Sequence, residues 1–290
     1  MREIKDLQEM QSYSRKAKAH GKRVGFVPTM GALHEGHLSL IAAAKQKADV
    51  VVVSIFVNPI QFGPSEDYTR YPRSLRKDKR CLKDMGVDIL FLPEASEMYP
   101  PGFKTFVEVE GLSRKLCGRS RPVHFRGVAT VVAKLLNIVS PDAAFFGEKD
   151  FQQQVIIKQM AKDLDLPVEI VSLPTVREFD GLAMSSRNGY LTPRERKSAT
   201  ILYKALCLAK EEVKRGEKDP KRILFRMRSL IASEPGVRLD YAAAVDPETL
   251  EEVKKVSGKV LFALAVYLGK ARLIDNMEVD SRGQERVHIS

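Results

Sequence analysis

The sequence has 290 residues, 44% of them hydrophobic, enough for one large α/β domain or two smaller ones. The net charge is +11, but the basic residues are spread along the chain and interleaved with acids, a pattern that fits anionic small molecules better than nucleic acid. No apolar run approaches the roughly 20 residues of a membrane span, and three cysteines without a Cys-x-x-Cys pair exclude a disulfide framework or a zinc knuckle.

The N-terminus, Met1-Arg2-Glu3-Ile4-Lys5-Asp6, mixes charges and has no apolar signal core, so a cytoplasmic protein with reduced thiols is expected. Strands are expected at 23–28, 50–57, 87–92, 143–146 and 168–176, most of them apolar on both faces. Helices are expected between them, at 36–47, 73–85, 127–139 and 150–164. Such alternation implies βαβ units and a parallel sheet, with ligands at the carboxyl ends of the strands. After Leu191 the pattern changes. Thr192-Pro193-Arg194-Glu195 reads as a capping box opening a helix that runs to about Arg215, and Asp219-Pro220 opens another. Strand-like runs follow at 239–245, 260–268 and 272–277. The expected division is therefore a first domain at 1–176 and a smaller α+β domain at 177–290.

The sharpest local signal is Pro28-Thr29-Met30-Gly31-Ala32-Leu33-His34-Glu35-Gly36-His37, at a strand-to-helix turn. Two of the five histidines fall within four residues, at i and i+3, and share one face of the opening helical turn. A helix N-terminus there favours phosphate. The run is neither a G-x-G-x-x-G loop nor a Walker A loop, and a zinc helix would need its histidines at i and i+4. His-x-Gly-His after a first βα strand resembles the signature of the nucleotidylyltransferase superfamily, which often pairs it with a Lys-Met-Ser-Lys-Ser loop. The counterpart here, Ala183-Met184-Ser185-Ser186-Arg187, lacks both lysines and offers hydroxyls and one guanidinium instead.

Four further segments make the resemblance specific. They are Asn58-Pro59-Ile60-Gln61-Phe62-Gly63, Arg121-Pro122-Val123-His124-Phe125-Arg126-Gly127, Gly147-Glu148-Lys149-Asp150-Phe151-Gln152-Gln153, and Pro174-Thr175-Val176-Arg177 leading to Met184. In this order and spacing they resemble the pantothenate synthetase family. The resemblance implies a Rossmann-like α/β domain followed by a smaller α+β domain that carries a lid loop. It implies ATP-dependent condensation of pantoate with β-alanine through a pantoyl-adenylate, with Mg2+ and a homodimeric assembly, and with no nucleic-acid or membrane partner.

The same resemblance suggests roles for individual residues. His34, His37 and Lys149 would stabilise charge growing on the phosphoryl oxygens. ATP would lie along Met30, Gly31, Ala32, Leu33, His34, Glu35, Gly36 and His37, then Gly147, Glu148, Lys149 and Asp150. Val176, Met184, Ser185, Ser186 and Arg187 complete that set. Gln61 and Gln153 would hold pantoate through uncharged amides. Asp150 suits either the ribose or a helix N-cap, and His124 either substrate or a tight turn. Asp78 is the magnesium candidate, with an exposed salt bridge on its basic helix as the alternative. Two rivals remain at this level: transfer of AMP to another small acceptor, and RNA binding by a retained adenylating fold.

Overall fold

The computed structural model describes residues 1–64, 66–282 and 284. The chain divides into two compact units. One holds the described residues of 1–113, 121–148 and 153–173; the other holds 114–120, 149–152 and the described residues from Pro174 onward. The main division falls after Leu173, against the 176 expected, and no shift in composition marks the two short segments that join the second unit.

The first unit carries a six-stranded sheet of β1 (Arg2–Ile4), β2 (Val24–Thr29), β3 (Val50–Ile55), β4 (Ile89–Phe91), β5 (Ala143–Gly147) and β6 (Glu169–Leu173). The order is β1-β4-β3-β2-β5-β6 and every pairing is parallel. The central strands are buried on both faces, as their unbroken apolar runs require: Val50, Val51, Val52 and Val53 are all at most 3% exposed. On one face Val27, Val51, Val53, Leu90 and Phe145 pack with Leu40, Ile41 and Ala44 of helix Glu35–Lys47 and with Leu82 of helix Leu75–Asp84.

β1 and the helix Leu7–Ala19 behind it are not among the expected elements. β1 is a three-residue edge strand with only Ile4 buried, too short to show a period. β6 ends at Leu173, short of the expected 176, because Pro174 has no N–H to extend the ladder. Since the strands run parallel, the carboxyl ends of β2, β3 and β5 lie along one edge of the sheet. The segments beginning at Met30, Phe56 and Glu148 leave from that edge.

The second unit is an antiparallel sheet of β7 (Val237–Val245), β8 (Lys259–Leu268) and β9 (Ala271–Asp280), in that order. Helices Ile201–Lys214 and Pro220–Ala232 supply Leu202, Leu206, Ile223 and Met227 to a core shared with Phe262, Leu264 and Val266. The capping box forms as expected, with Thr192 and Glu195 exchanging bonds. The single helix expected up to Arg215 is nevertheless two, Pro193–Ser198 and Ile201–Lys214. At the break Thr200 Oγ1 donates to the Lys197 carbonyl at 2.9 Å, a local bond that competes with the helical ladder.

Candidate active site

The chain leaves β2 through a tightly held loop. Thr29 Oγ1 donates to the Ser54 carbonyl at 2.8 Å and accepts from Gly31 N–H at 3.1 Å, which ties the ends of β2 and β3 together. Gly31 (φ +82°) and Ala32 (φ +51°) then both turn left-handed. That turn brings the amides of Ala32 and Leu33 onto one carboxylate: they donate to Asp78 Oδ2 and Oδ1, each at 2.9 Å. Ser74 Oγ donates to the same Oδ1 at 3.1 Å. Successive amides converging in this way form an anion-holding concavity, and here the anion is supplied by the chain.

Asp78 is 1% exposed, which corrects both sequence readings of it. It is not on an exposed helix face, and both its oxygens are engaged by backbone N–H groups instead of facing a cation. The amphipathic pattern of 73–85 could not show this, because the partners lie some 45 residues away in sequence. It also follows that the Ala32 and Leu33 amides are already committed, so any contact of these two residues with a nucleotide must use other atoms.

His34 is the N-cap of helix Glu35–Lys47, with His37 at N3. Their rings lie 4.1 Å apart between centroids, tilted by 43°, and both are half-buried. The His34 backbone N–H donates to His37 Nδ1 at 3.3 Å. That bond leaves Nε2 as the proton-bearing nitrogen of the neutral ring, a donor suited to an anionic oxygen.

Gln61 closes the short 3-10 turn Pro59–Gln61 after β3 and is 7% exposed. Its Oε1 accepts from Asn58 Nδ2 at 3.0 Å, and its Nε2 lies 3.2 Å from Met30 Sδ. His124, the first residue of helix His124–Val139, bonds the Gln61 carbonyl through Nδ1 at 3.0 Å. Gln153, half-buried on helix Phe151–Asp163, also belongs to the first unit. Its neighbour Gln152 is a different kind of residue: it accepts from Cys117 N–H at 3.0 Å and donates to the Lys115 carbonyl at 2.7 Å, which pins segment 114–120.

In the second unit Lys149 Nζ lies 3.8 Å from Asp150 Oδ2, and the Lys149 carbonyl accepts from Asn276 Nδ2 at 2.9 Å. The adjacent Asp275, on β9, receives a two-pronged bond from Arg177, at 2.7 and 3.0 Å. Burial pushes the Asp275 carboxyl up while the Arg177 guanidinium pulls the other way. Arg177 also donates to the Gly181 carbonyl at 3.0 Å and stacks over Tyr203. It thereby holds the base of a small hairpin whose strands meet at Arg177 and Ala183.

Met184 N–H donates to the Val176 carbonyl at 3.0 Å across that hairpin. Ser185 Oγ accepts from Arg187 N–H at 3.2 Å and starts the 3-10 turn Ser186–Tyr190. Arg196 grips Asp180 and Glu178 at 2.8 and 2.6 Å, and its hydrogen bonds hold Asp180 below the usual carboxylate range.

The structure thus gathers 30–37, Gln61 and Asp78 in the first unit, and Lys149, Asp150, Val176 and 184–187 in the second. Asn58, Asp275 and Asn276 are not picked out from sequence, although Asn58 opens the segment 58–63.

Comparison with known proteins gives a consistent result. The sequence profile described as pantoate-beta-alanine ligase matches residues 2–278. The pantothenate synthetase of Caldicellulosiruptor bescii is 57% identical over 279 residues, covering 96% of this chain and 99% of the relative. Among solved structures, a pantothenate synthetase from Thermus thermophilus superposes with a TM-score of 0.90 at 46% identity, covering 96% of this chain and 99% of the other. A pantoate-beta-alanine ligase from Francisella tularensis, complexed with beta-gamma ATP and beta-alanine, gives 0.78 at 38% identity over 95% and 97%.

Proposed function

Because the chain belongs to the pantoate–β-alanine ligase family, we infer its reaction from that membership. It is an ATP-dependent C–N ligase that condenses pantoate with β-alanine through a pantoyl-adenylate, releasing pyrophosphate and AMP. The observation that carries this reading is the family match along 2–278.

The residue roles are our proposal. In the first step the pantoate carboxylate attacks the α-phosphorus and pyrophosphate departs, so negative charge grows on phosphoryl oxygens and the protein's work is to place donors and cations there. His37, with its proton on Nε2, is suited to donate to such an oxygen, and His34 supports it from the N-cap. Lys149 supplies a point charge, while Ser185, Ser186 and Arg187 offer hydroxyls and a guanidinium to the β- and γ-phosphates. Asp150 is assigned to the ribose and Val176 to the adenine. Gln61 and Gln153 hold pantoate, and in the second step the β-alanine amine displaces AMP from the acyl carbon.

Mg2+ fits this chain as a companion of ATP. Among the described residues no group of three or more His, Cys, Asp and Glu side chains could cage an ion. Magnesium ordinarily keeps waters and substrate phosphate oxygens with one or two carboxylates at most. Bound in that way it would neutralise triphosphate charge. We further propose a cytoplasmic homodimer; no helix among the described residues is long and apolar enough to cross a membrane.

The direct test is release of AMP and pyrophosphate with pantoate and β-alanine. It is paired with exchange of labelled pyrophosphate into ATP when pantoate is present and β-alanine is absent. Exchange that strictly requires β-alanine would remove the free adenylate from the scheme.

A further inference from the structure

Helix Ala95–Met98, in the first unit, ends in a residue that the reaction scheme does not use: Tyr99 is its C-cap. Its hydroxyl donates to Asn58 Oδ1 at 2.7 Å. Its ring packs edge-on against Phe103 and tilted against Phe56, and burial pushes its phenol well above the ordinary range, so it stays a neutral donor. Asn58, 1% exposed, is the next link: its Nδ2 donates both to Gln61 Oε1 at 3.0 Å and to the Gly127 carbonyl at 3.1 Å.

The direction of this chain is fixed by chemistry. A side-chain amide has one accepting and one donating end, and its orientation is read from its partners. The Gly127 carbonyl can only accept, so the end of Asn58 that faces it must be the NH2 group. The Asn58 oxygen then points at Tyr99, which must donate. The same NH2 group faces the side chain of Gln61, which must in turn present its oxygen.

The Gln61 amide nitrogen is therefore left on the far side, where its neighbour Met30 Sδ, a thioether, is a weak acceptor. Gly127 allows this arrangement, because a Cβ there would come within 2.5 Å of Gln61 Cα.

We infer that Tyr99 is a positioning residue for the hydroxy-acid substrate: through Asn58 it locks Gln61 with its amide nitrogen outward, as a donor to a carboxylate or hydroxyl oxygen of pantoate. This rests on the assignment of Gln61 to pantoate made above. Without the Tyr99 hydroxyl, Asn58 keeps only its NH2-side partners, its buried oxygen is left unpaired, and the hold on the Gln61 amide loosens enough for the turned-round orientation to be populated. A Gln61 turned the wrong way sets an oxygen against the substrate's oxygen.

The test is a double-mutant cycle with Tyr99→Phe and Gln61→Ala, read as KM for pantoate, KM for ATP, kcat and unfolding temperature. Tyr99→Phe should raise pantoate KM about five- to tenfold, the effect of one lost hydrogen bond, while ATP KM and kcat change less than about twofold. Placed on the Gln61→Ala background, the same substitution should move pantoate KM less than about twofold, since there is no amide left to orient.

Asn58→Asp, which replaces the donor by an acceptor, should turn Gln61 round and raise pantoate KM further than Tyr99→Phe does. An equal loss in both backgrounds would make Tyr99 a general packing residue and overturn the inference, as would a wild-type pantoate KM in Tyr99→Phe. If Gln61→Ala itself left pantoate KM unchanged, the assignment of Gln61 would fail first and the inference with it.

Discussion

Asp78→Asn separates a loop clamp from a metal ligand, because the two roles respond differently to an isosteric change. In the folded chain the Asp78 carboxylate takes two backbone N–H bonds at 2.9 Å and a hydroxyl at 3.1 Å, all within a site that is 1% exposed. Asparagine keeps one accepting oxygen and turns an NH2 group toward the other amide. One charge-assisted bond is lost, worth about 1.5–3 kcal/mol, and a buried N–H is left facing a donor at a cost of about 1–3 kcal/mol.

Part of this is returned, since a loosened clamp lets Ala32 leave φ +51°, and relaxing a left-handed non-glycine residue regains about 1–2 kcal/mol. The net loss is about 2–3 kcal/mol, which lowers the unfolding temperature of the first unit by about 6–9 °C. Because the clamped loop leads straight into the N-cap His34, pyrophosphate exchange should fall as well, by about tenfold. Calorimetry and exchange are each measured across a Mg2+ titration, whose midpoint should not move. A shifted Mg2+ midpoint with an unchanged unfolding temperature would refute the clamp and restore the metal assignment.

The remaining predictions fall on both units. His34→Ala, His37→Ala and Lys149→Ala should each fold and lose about 10²- to 10³-fold in kcat for adenylate formation, with a smaller change in ATP affinity; stopped-flow measurement of the adenylation step with separate ATP titrations checks this. Asp275→Asn removes the counter-charge of the half-buried Arg177 and one of its charge-assisted bonds, and chemical denaturation of the second unit should show a loss of about 1.5–3 kcal/mol. The Asp180–Arg196 pair gives a pH signature: Asp180 is held below its ordinary value, so its stabilising contribution is complete above about pH 4 and is lost as pH falls through the lower folded value. Limited proteolysis within 177–183 should accelerate as pH falls below about 4 in the native chain, and the acceleration should be much reduced in Asp180→Asn.

Much of this architecture can be read from the sequence, and for a physical reason. Strands covered on both faces write continuous apolar runs, so β2, β3 and β5 are visible at 24–29, 50–55 and 143–147 to within a residue or two. β1 has one buried residue of three and writes almost nothing. The capping box at Thr192 and Glu195 is legible because its partners are three residues apart; the break at 199–200 depends on a single threonine hydroxyl and is not. In the site, residues that carry charge or an imidazole announce themselves at the turn after a strand. The groups that hold them do not, because their partners are far away in sequence: Asp78 on Ala32, Asn276 on Lys149, Tyr99 on Asn58.

The second unit shows what such distant holding groups do. Lys149 brings its ammonium to the end of a long, flexible stem, and a charge on such a stem is only as well placed as the backbone beneath it. Here the backbone is fixed by Asn276, whose amide bonds the Lys149 carbonyl, while the preceding residue, Asp275, fixes the hairpin through Arg177. Two successive residues of β9, on opposite faces of one strand, therefore anchor the lysine and the hairpin that leads into 184–187. A strand flexes far less than a loop, and sites built on strands keep their geometry better. The antiparallel sheet thus has a reason to exist beyond its own core. It is the rigid support for a cation and a turn, and small misplacements of groups that act on a reacting centre are costly.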